Sequence, residues 1–329
     1  MSQFKTLFLG TPDFAVPCLQ KLIEDSHYDV VGVVTQPDRP AGRNLQLQAS
    51  PIKKIAQAHN IPVFTPEKVN DILEDLKSLQ AECAVVVAFG QILSKSFLEL
   101  FNHKVVNVHA SLLPQWRGAA PIQRSLMAGD IETGVSLQVV VPKLDAGAVL
   151  GYRKISLSEH MRAPELYEIL KQLGADLLET ELADFLRGHL VPTEQDENLV
   201  TIAPKIKKEE GLVLWSRPAR DIYNDFRGLY GWPGSWTVRN GKKLKVLDMV
   251  VLPLSGSPGT VLEVHEKQSL TEALSQEADH HDRKSRASFV VACGEESLQI
   301  FEVQPESKKT MSVSEYLKGY PIKKGESFL

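Results

Sequence analysis

The chain has 329 residues, of which 43% are hydrophobic and 24% are charged, and its formal net charge is −4. This is ordinary globular composition, and the length predicts about two domains. The longest apolar runs, such as Ala84–Phe89, have the length of a strand, which excludes a membrane-spanning helix.

The N-terminus "MSQFKTLFLG" lacks the pattern of a signal peptide and predicts a first β-strand. Cys18, Cys83 and Cys293 lie far apart, without the spacing of a disulfide framework or a metal site. We therefore expect reduced, structural thiols in a cytoplasmic protein.

The first half of the chain alternates between β-rich runs and segments with helical spacing, which predicts a Rossmann-like, mostly parallel sheet with helices on both faces. One helix start is marked by Ser50 at the N-cap position and Pro51 at the first helical position. The predicted strands are Thr6–Leu9, Val30–Thr35, Ala84–Phe89 and Val105–His109, and the helical segments are "FAVPCLQKLIED", "ASPIKKIAQAHN", "VNDILEDLKSL" and "APIQRSLMAG".

The turn after the first strand, "FLGTPDFAV", has only Gly10 where a dinucleotide fold carries G-x-G-x-x-G. The backbone therefore lacks the glycines that admit a pyrophosphate, which argues against a nicotinamide or flavin cofactor. A Walker-type phosphate loop is absent as well, so nucleotide hydrolysis is not expected.

The sequence after Asp130 predicts two neighbouring strands, "TGVSLQVVV" and "GAVLGYRKISL", joined by the loop Pro142–Gly147, and then a long helix. We expect a first domain over residues 1–189, a linker over 190–206 and a smaller domain over 207–329. The last region carries short strands with an Asn240-Gly241 hairpin, which predicts a β-barrel or sandwich. Residues 266–288 are expected to form an exposed loop, with solvated His280 and His281.

The strand ending at His109 is the candidate for chemistry. Alternate residues share a face of a strand, so Asn107 and His109 point the same way at the end where open α/β sheets bind ligands. Asp145 is the best candidate for a carboxylate that orients the imidazole. These three groups suit a reaction in which a tetrahedral oxyanion forms while a proton moves. From the pattern alone, a histidine at the end of a strand is more often structural or at the surface than catalytic.

The motifs "NVHASLLPQWRGAAPIQRSLMAGD" and "LDAG" resemble those of the folate-dependent formyltransferases. The segments "GTPDFAV", "TQPDRPAGR", "SPIK" and "AFGQIL" are similar to those of the branch that formylates methionine on initiator tRNA. The resemblance implies 10-formyltetrahydrofolate as formyl donor, no metal, and a C-terminal OB-like domain that binds tRNA. It also implies a translation-initiation enzyme, which we expect to be a monomer.

The same resemblance assigns residue roles. Asn107, His109 and Asp145 would be catalytic, and Arg43 would contact tRNA from the loop "PDRPAGRNLQLQ". Lysines around the C-terminal hairpin are expected to contact RNA phosphates. The folate-binding residues would be Ser111, Leu112, Leu113 and Pro114, with Phe89, Gly90, Gln91, Ile92 and Leu93, and the lysines are Lys242, Lys243 and Lys245.

Three other functions use the same features. A 10-formyltetrahydrofolate hydrolase would employ the same three residues with water as nucleophile. A sugar-nucleotide amine formyltransferase would employ them with another amine. A tRNA- or folate-binding protein would bind without turnover. The "TQPDRPAGR" loop and the C-terminal region favour the tRNA-directed enzyme.

Overall fold

The predicted alternation of strands and helices in the first half is confirmed. The computed structural model describes residues 3–41, 46–266 and 286–328. The chain divides into two units: the first comprises Met1–Ile122, Ile131–Glu159 and Glu165–Lys205, and the second comprises Gln123–Asp130, His160–Pro164 and Ile206–Leu329.

The elements up to residue 205 begin with a strand, as the N-terminal pattern predicts. The strands are β1 (Phe4–Gly10), β2 (Tyr28–Val34), β3 (Arg39–Ala41), β4 (Gln46–Gln48), β5 (Val63–Phe64), β6 (Cys83–Val87), β7 (Val105–His109), β8 (Arg117–Gly118), β9 (Glu132–Val139), β10 (Val149–Ser156) and β11 (Ile202–Ala203). The helices are α1 (Val16–Glu24), α2 (Pro51–Ala58), α3 (Leu73–Ser78), α4 (Lys95–Glu99), α5 (Pro121–Ala128) and α6 (Ala163–Leu186).

Seven of these strands form one sheet in the order β10-β9-β7-β6-β1-β2-β5. The five strands from β7 to β5 are parallel, whereas β9 runs antiparallel to β7 and β10 antiparallel to β9. The chain builds outward from β1 through β2 to β5 and then crosses to β6 on the other side. Because parallel crossovers are right-handed, the reversal sends helices to both faces and creates a switch point between β1 and β6.

The apolar core on one face joins the sheet to the helices that precede and follow β6. Leu7 of β1 and Val86 of β6 cluster with Phe97 of α4 and with Val105 of β7, and all four are buried. Since alternate residues share a face, Asn107 and His109 lie on the same face as Val105. Along this face of β7, the buried apolar residue Val105 is thus followed by the polar site candidates Asn107 and His109.

Two short ladders lie outside the main sheet. β3 and β4, in the segment before α2 that was expected to be a loop, pair antiparallel, and residues 42–45 between them lie outside the described residues. β11 pairs in parallel with β8. Part of the segment expected to be a linker is therefore bound to the loop that follows β7.

The second unit is β-rich, as predicted. Its strands β12 (Ser235–Arg239), β13 (Lys242–Leu252), β14 (Val261–His265), β15 (Ser288–Ala292), β16 (Ser297–Pro305) and β17 (Met311–Ser312) form one antiparallel sheet in the order β12-β13-β16-β15-β14, with β17 on β16. Helices α7 (Ala219–Gly228) and α8 (Val313–Gly319) flank it in sequence. The Asn240-Gly241 hairpin is confirmed, and both residues have positive φ, as a type I′ turn requires. Closure of the sheet into an OB-like barrel stays a prediction.

All three cysteines are free and buried. Burial raises the pKa of Cys18 to about 12 and that of Cys83 to about 11. Such thiols stay protonated and unreactive at neutral pH, which fits the structural role predicted for them.

In the described residues, every helix is too short or too polar to cross a lipid bilayer.

Replacing Ser50 with Ala should cost about 1 kcal/mol of unfolding free energy, because the Ser50 hydroxyl caps α2 by accepting a hydrogen bond from the Lys53 amide. The measurement is the urea midpoint followed by circular dichroism. Ser96→Ala, on the exposed side of α4, is the control and should change the midpoint little. Equal midpoints for the Ser50 variant and the unmodified protein would contradict the cap.

Candidate active site

Strand β7 ends at His109, as predicted, and presents Asn107 and His109 on one face. Asn107 is directly opposite Gln138 of β9, and His109 is opposite Ser136. Directly opposed residues of neighbouring strands share a face, so Gln138 lies beside the site. The Asn107 carboxamide makes no hydrogen bond within the described part of the chain, which leaves it available to a ligand.

His109 lies between a carbonyl and a carboxylate. Its Nε2 is 2.9 Å from the Trp116 carbonyl oxygen. Because a carbonyl only accepts, Nε2 carries a proton in this contact. Its Nδ1 is 3.7 Å from Oδ2 of Asp145, and the two side chains are only 7% and 13% exposed. The predicted pairing of His109 with Asp145, 36 positions along the chain, is present in the structure.

Neutral donors hold the Asp145 carboxylate. The Gly118 amide donates to Oδ2 at 2.9 Å, and Nε2 of Gln138 donates to Oδ1 at 3.1 Å. Neither donor carries a charge, so the negative charge of Asp145 is left to act on His109. The carboxylate therefore lies over the strand face that carries Asn107 and His109.

Three residues near these groups have left-handed backbone conformations although none is glycine. φ is +48° at Asp145, +60° at Trp116 and +47° at Ala88, which directly follows β6. Such conformations cost free energy and cluster at functional sites. They place strained backbone in the loops after β6, β7 and β9, although positive φ also occurs elsewhere in the unit, for example at Gln80 and Asn102.

The sequence analysis missed Gln138 and the contribution of the Gly118 amide. Gln138 is only 2% exposed, and its one signal in the sequence is a polar residue inside the apolar run "VSLQVVV". The Gly118 contact is made by a backbone amide, which no residue type in the sequence identifies. Neither a strand nor a helix period links the positions of these two donors to Asp145, so local spacing does not reveal the contacts.

The segment Ser111–Pro114, expected to bind folate, follows directly on β7. The Leu113 amide donates to the Ser136 hydroxyl at 2.9 Å, and that hydroxyl donates to the Ser111 carbonyl at 2.6 Å. The Tyr152 hydroxyl donates to the Leu113 carbonyl at 3.1 Å. Side chains of β9 and β10 thus fix the backbone of this segment next to His109.

The second segment expected to bind folate, Phe89–Leu93, follows β6 at the switch point of the sheet. The Gln36 side chain donates to the Phe89 carbonyl at 3.1 Å. The Gln91 side chain binds two backbone groups of a neighbouring loop. Ile92 is 86% exposed, so an apolar side chain faces solvent at the edge where open α/β sheets bind their ligands.

The lysines predicted to contact RNA lie on β13 of the second unit. Lys243 and Lys245 share one strand face, and Lys242 points to the other. β13 pairs with β12 on one side and with β16 on the other, so these lysines do not protect an exposed strand edge. Burial, together with the charges of Lys208 and Lys245, lowers the pKa of Lys243. Lys208 was missed by the sequence analysis, and we call Lys208, Lys243 and Lys245 the basic cluster.

Several predicted features fall outside the described residues. They are Arg43, His280, His281 and most of the expected loop 266–288. Among the residues that are described, no group of three or more His, Cys, Asp or Glu side chains is arranged to hold a metal ion.

Two family models match this chain. One, described as formyl transferase, matches residues 4–182, and the other, described as formyl transferase, C-terminal domain, matches residues 205–321. Together the two matches span most of the chain, so the enzyme class expected from the motifs, a formyl transferase, is confirmed.

Full-length relatives define the branch. The methionyl-tRNA formyltransferase of Bdellovibrio bacteriovorus is 49% identical over 334 residues, covering 99% of this chain and 99% of that protein. The methionyl-tRNA formyltransferase of Magnetococcus marinus is 40% identical over 328 residues, covering 99% and 98%. The chain belongs to the methionyl-tRNA formyltransferase family.

A solved structure supports the fold class. The N-formyltransferase of Helicobacter canadensis, described as a complex with folinic acid and dTDP-3-aminofucose, is similar with a TM-score of 0.65 at 16% identity. The match covers 92% of this chain and 100% of that chain. At this identity the likeness shows the shared fold.

Replacing Gly147 with Ala should destabilise the loop that carries Asp145. An added Cβ would overlap the Val139 carbonyl oxygen, and overpacking of this kind costs about 1–3 kcal/mol. Thermal unfolding would measure the change. Gly319→Ala is the control, because no heavy atom lies within 4 Å of its Cβ position. A Gly147 variant as stable as the control variant would contradict the tight packing of this loop.

Proposed function

We propose that this chain transfers the formyl group of 10-formyltetrahydrofolate to the free amino group of methionine on initiator tRNA, which gives N-formylmethionyl-tRNA. Identity of 49% over the full length with a protein named methionyl-tRNA formyltransferase supports the proposal. The observation that carries the chemistry is His109 with Nδ1 3.7 Å from the Asp145 carboxylate, on the strand face that also carries Asn107.

The reaction needs a donor for a developing oxyanion and a path for one proton. The uncharged amine attacks the formyl carbon, and the formyl oxygen gains negative charge as the carbon becomes tetrahedral. Asn107 and His109 donate hydrogen bonds to that oxygen. The His109 Nε2–H group gives up its hydrogen bond to the Trp116 carbonyl and donates to the substrate oxygen instead. The amine proton passes to the His109–Asp145 pair. The pair returns it to N10 of the folate as the bond from N10 to the formyl carbon breaks and the carbon–oxygen double bond forms again.

Asp145 has a second role in the proposed mechanism. Its carboxylate is held by uncharged donors, and it therefore stabilises the positive charge that develops on the imidazole. The same hydrogen bonds fix its position, so little reorganisation is needed while the oxyanion forms.

We propose that the folate lies between the segments Phe89–Leu93 and Ser111–Pro114. Both follow parallel strands at their carboxyl ends, and the first adjoins the switch point of the sheet. The hydrogen bonds of their backbone carbonyls to side chains keep both segments in place before a ligand arrives.

We propose that RNA phosphates contact the basic cluster, with Lys242 beside it at the hairpin. Positive charges that lower one another's affinity for protons are stabilised by a polyanion. Arg43, which lies between β3 and β4 in the sequence, stays part of the proposed tRNA contact. A folate hydrolase or a sugar-amine formyltransferase would leave the basic cluster without a role.

The remaining assignments follow from this function. Initiator tRNA is a cytoplasmic substrate, and the three proposed catalytic side chains come from one chain, so we propose a cytoplasmic monomer. We also propose residues 1–189 as the catalytic domain and residues 207–329 as the tRNA-binding domain.

Replacing His109 or Asp145 with Ala should lower kcat about 10²-fold or more, the effect of removing a group that acts in the transition state. The assay is transfer of labelled formyl from 10-formyltetrahydrofolate to Met-tRNA, beside a reaction with water alone. His27→Ala is the matched control, because His27 pairs with Asp25 at the surface and should leave the rate unchanged. Wild-type turnover by either site variant would remove that residue from the mechanism.

Replacing Lys208, Lys243 and Lys245 together with Gln should flatten the salt dependence of tRNA affinity. Each phosphate contact contributes a slope of about 0.9 in log K against log salt, so the triple change removes up to about three units. Lys242→Gln should remove up to about one unit. The measurement is tRNA affinity titrated at several salt concentrations.

The control for the lysine variants is a triple change on the first unit. Lys77, Lys95 and Lys104 are exposed there on or beside α3 and α4, and their replacement should leave the slope unchanged. If the basic-cluster variant kept the full slope, its lysines would not contact phosphate.

A further inference from the structure

Residues 195–203, which follow α6, contact both loops that hold the candidate site. Ile202–Ala203 forms the parallel ladder with Arg117–Gly118. The Trp116 amide donates to the Thr201 hydroxyl at 2.8 Å. Trp116 accepts from His109, and Gly118 donates to Asp145, so this segment binds the two residues whose backbone groups hold the dyad.

Gln195 is the centre of these contacts. Its Nε2 donates to the Asp145 carbonyl at 2.9 Å and to the Gly147 carbonyl at 2.7 Å. Its Oε1 accepts from Nε and Nη2 of Arg117 at 3.0 and 2.8 Å. The carboxamide therefore uses its donor side on the loop that carries Asp145 and its acceptor side on Arg117.

Arg117 makes this arrangement rigid. Its side chain is only 3% exposed, and a buried guanidinium is tolerated only when its donors are paired. Nη2 also donates to Glu197 at 2.9 Å. Hydrogen bonds from Arg117 and Lys143 lower the pKa of Glu197 to about 2, so the carboxylate keeps its charge at every pH at which the enzyme would be assayed. Gln195 is thus oriented by a guanidinium that is itself held by the Glu197 carboxylate.

We propose that Gln195 is a positioning residue for formyl transfer: it fixes the backbone on both sides of Asp145 so that the carboxylate faces His109. The proposal rests on the function proposed above. Asp145 has a positive φ, and its loop needs an external restraint to keep that conformation. Gln195 supplies it through the carbonyls of Asp145 and Gly147.

The first test compares two substitutions in the full-length enzyme. Gln195→Ala removes both sides of the carboxamide and should lower kcat about tenfold or more, with KM for both substrates nearly unchanged, since small displacements of a catalytic group are costly. Gln195→Glu keeps an acceptor for Arg117 but places an oxygen against two carbonyls. It should lose activity as Gln195→Ala does. Wild-type kcat in the Glu variant would mean that only the Arg117 contact matters, and would overturn the proposal.

The second test is a double-mutant cycle with Asp145→Ala. If Gln195 acts through Asp145, adding Gln195→Ala to the Asp145 variant should not slow it further. A further fall as large as that in the wild-type background would show an independent, merely structural effect. Full activity of Asp145→Ala alone would remove Asp145 from the mechanism and with it the positioning role. Absence of formyl transfer to Met-tRNA by the wild-type enzyme would instead refute the proposed function, so the two failures are distinguishable.

A matched control and a measurement of stability complete the test. Gln3→Ala is the matched control, because the Gln3 side-chain amide donates to the Tyr28 carbonyl at 3.4 Å. That contact lies where β1 and β2 begin, whereas Asp145 lies in the loop after β9. Its kcat should equal that of the wild type. Thermal midpoints are measured for every variant, and a kcat of Gln195→Ala within twofold of the Gln3 control would overturn the positioning role.

Discussion

The antiparallel pairing of β7 with β9 is the constraint on which the site depends. In a sheet of parallel strands only, the neighbour of β7 would run in the same direction as β7, and a crossover connection would follow it. Here β9 reverses, so Gln138 stands opposite Asn107, and the short connection to β10 returns across the same strands. That connection carries Asp145. The pairing therefore sets both the amide beside the site and the position of the carboxylate.

A buried carboxylate is costly unless its oxygens are hydrogen-bonded. Asp145 is satisfied by the Gly118 amide and the Gln138 carboxamide, and neither neutralises its charge. A lysine or arginine in their place would bind the carboxylate more strongly but would compete with His109 for it. The choice of neutral donors keeps the electrostatic effect on the imidazole while it limits the cost of burial.

The sequence predicted those parts of the fold that depend on local patterns. Strand alternation placed Asn107 and His109 on one face, an N-cap serine marked the start of α2, and Asn240-Gly241 marked the hairpin. The enzyme class came from motif resemblance. The contact of Gln138 with Asp145 was not predicted, because it depends on how the loop after β9 turns back. The contacts of Gln195 were not predicted either, because a hydrogen bond across 50 residues leaves no periodicity in the sequence. Lys208 was missed for the same reason, since its partners on β13 are close only in the folded chain.

The segment around Gln195 shows why polar composition is ambiguous. It was expected to be a linker because it lacks an apolar stripe and contains prolines. A segment that lies on a polar site has the same composition for a different reason: its side chains must satisfy backbone carbonyls and a buried guanidinium rather than fill a core. A linker and a segment that lies on a polar site differ in the hydrogen-bond partners that surround their side chains. Here Arg117 and the carbonyls of Asp145 and Gly147 require an acceptor and donors from one side chain, and a glutamine carboxamide supplies both.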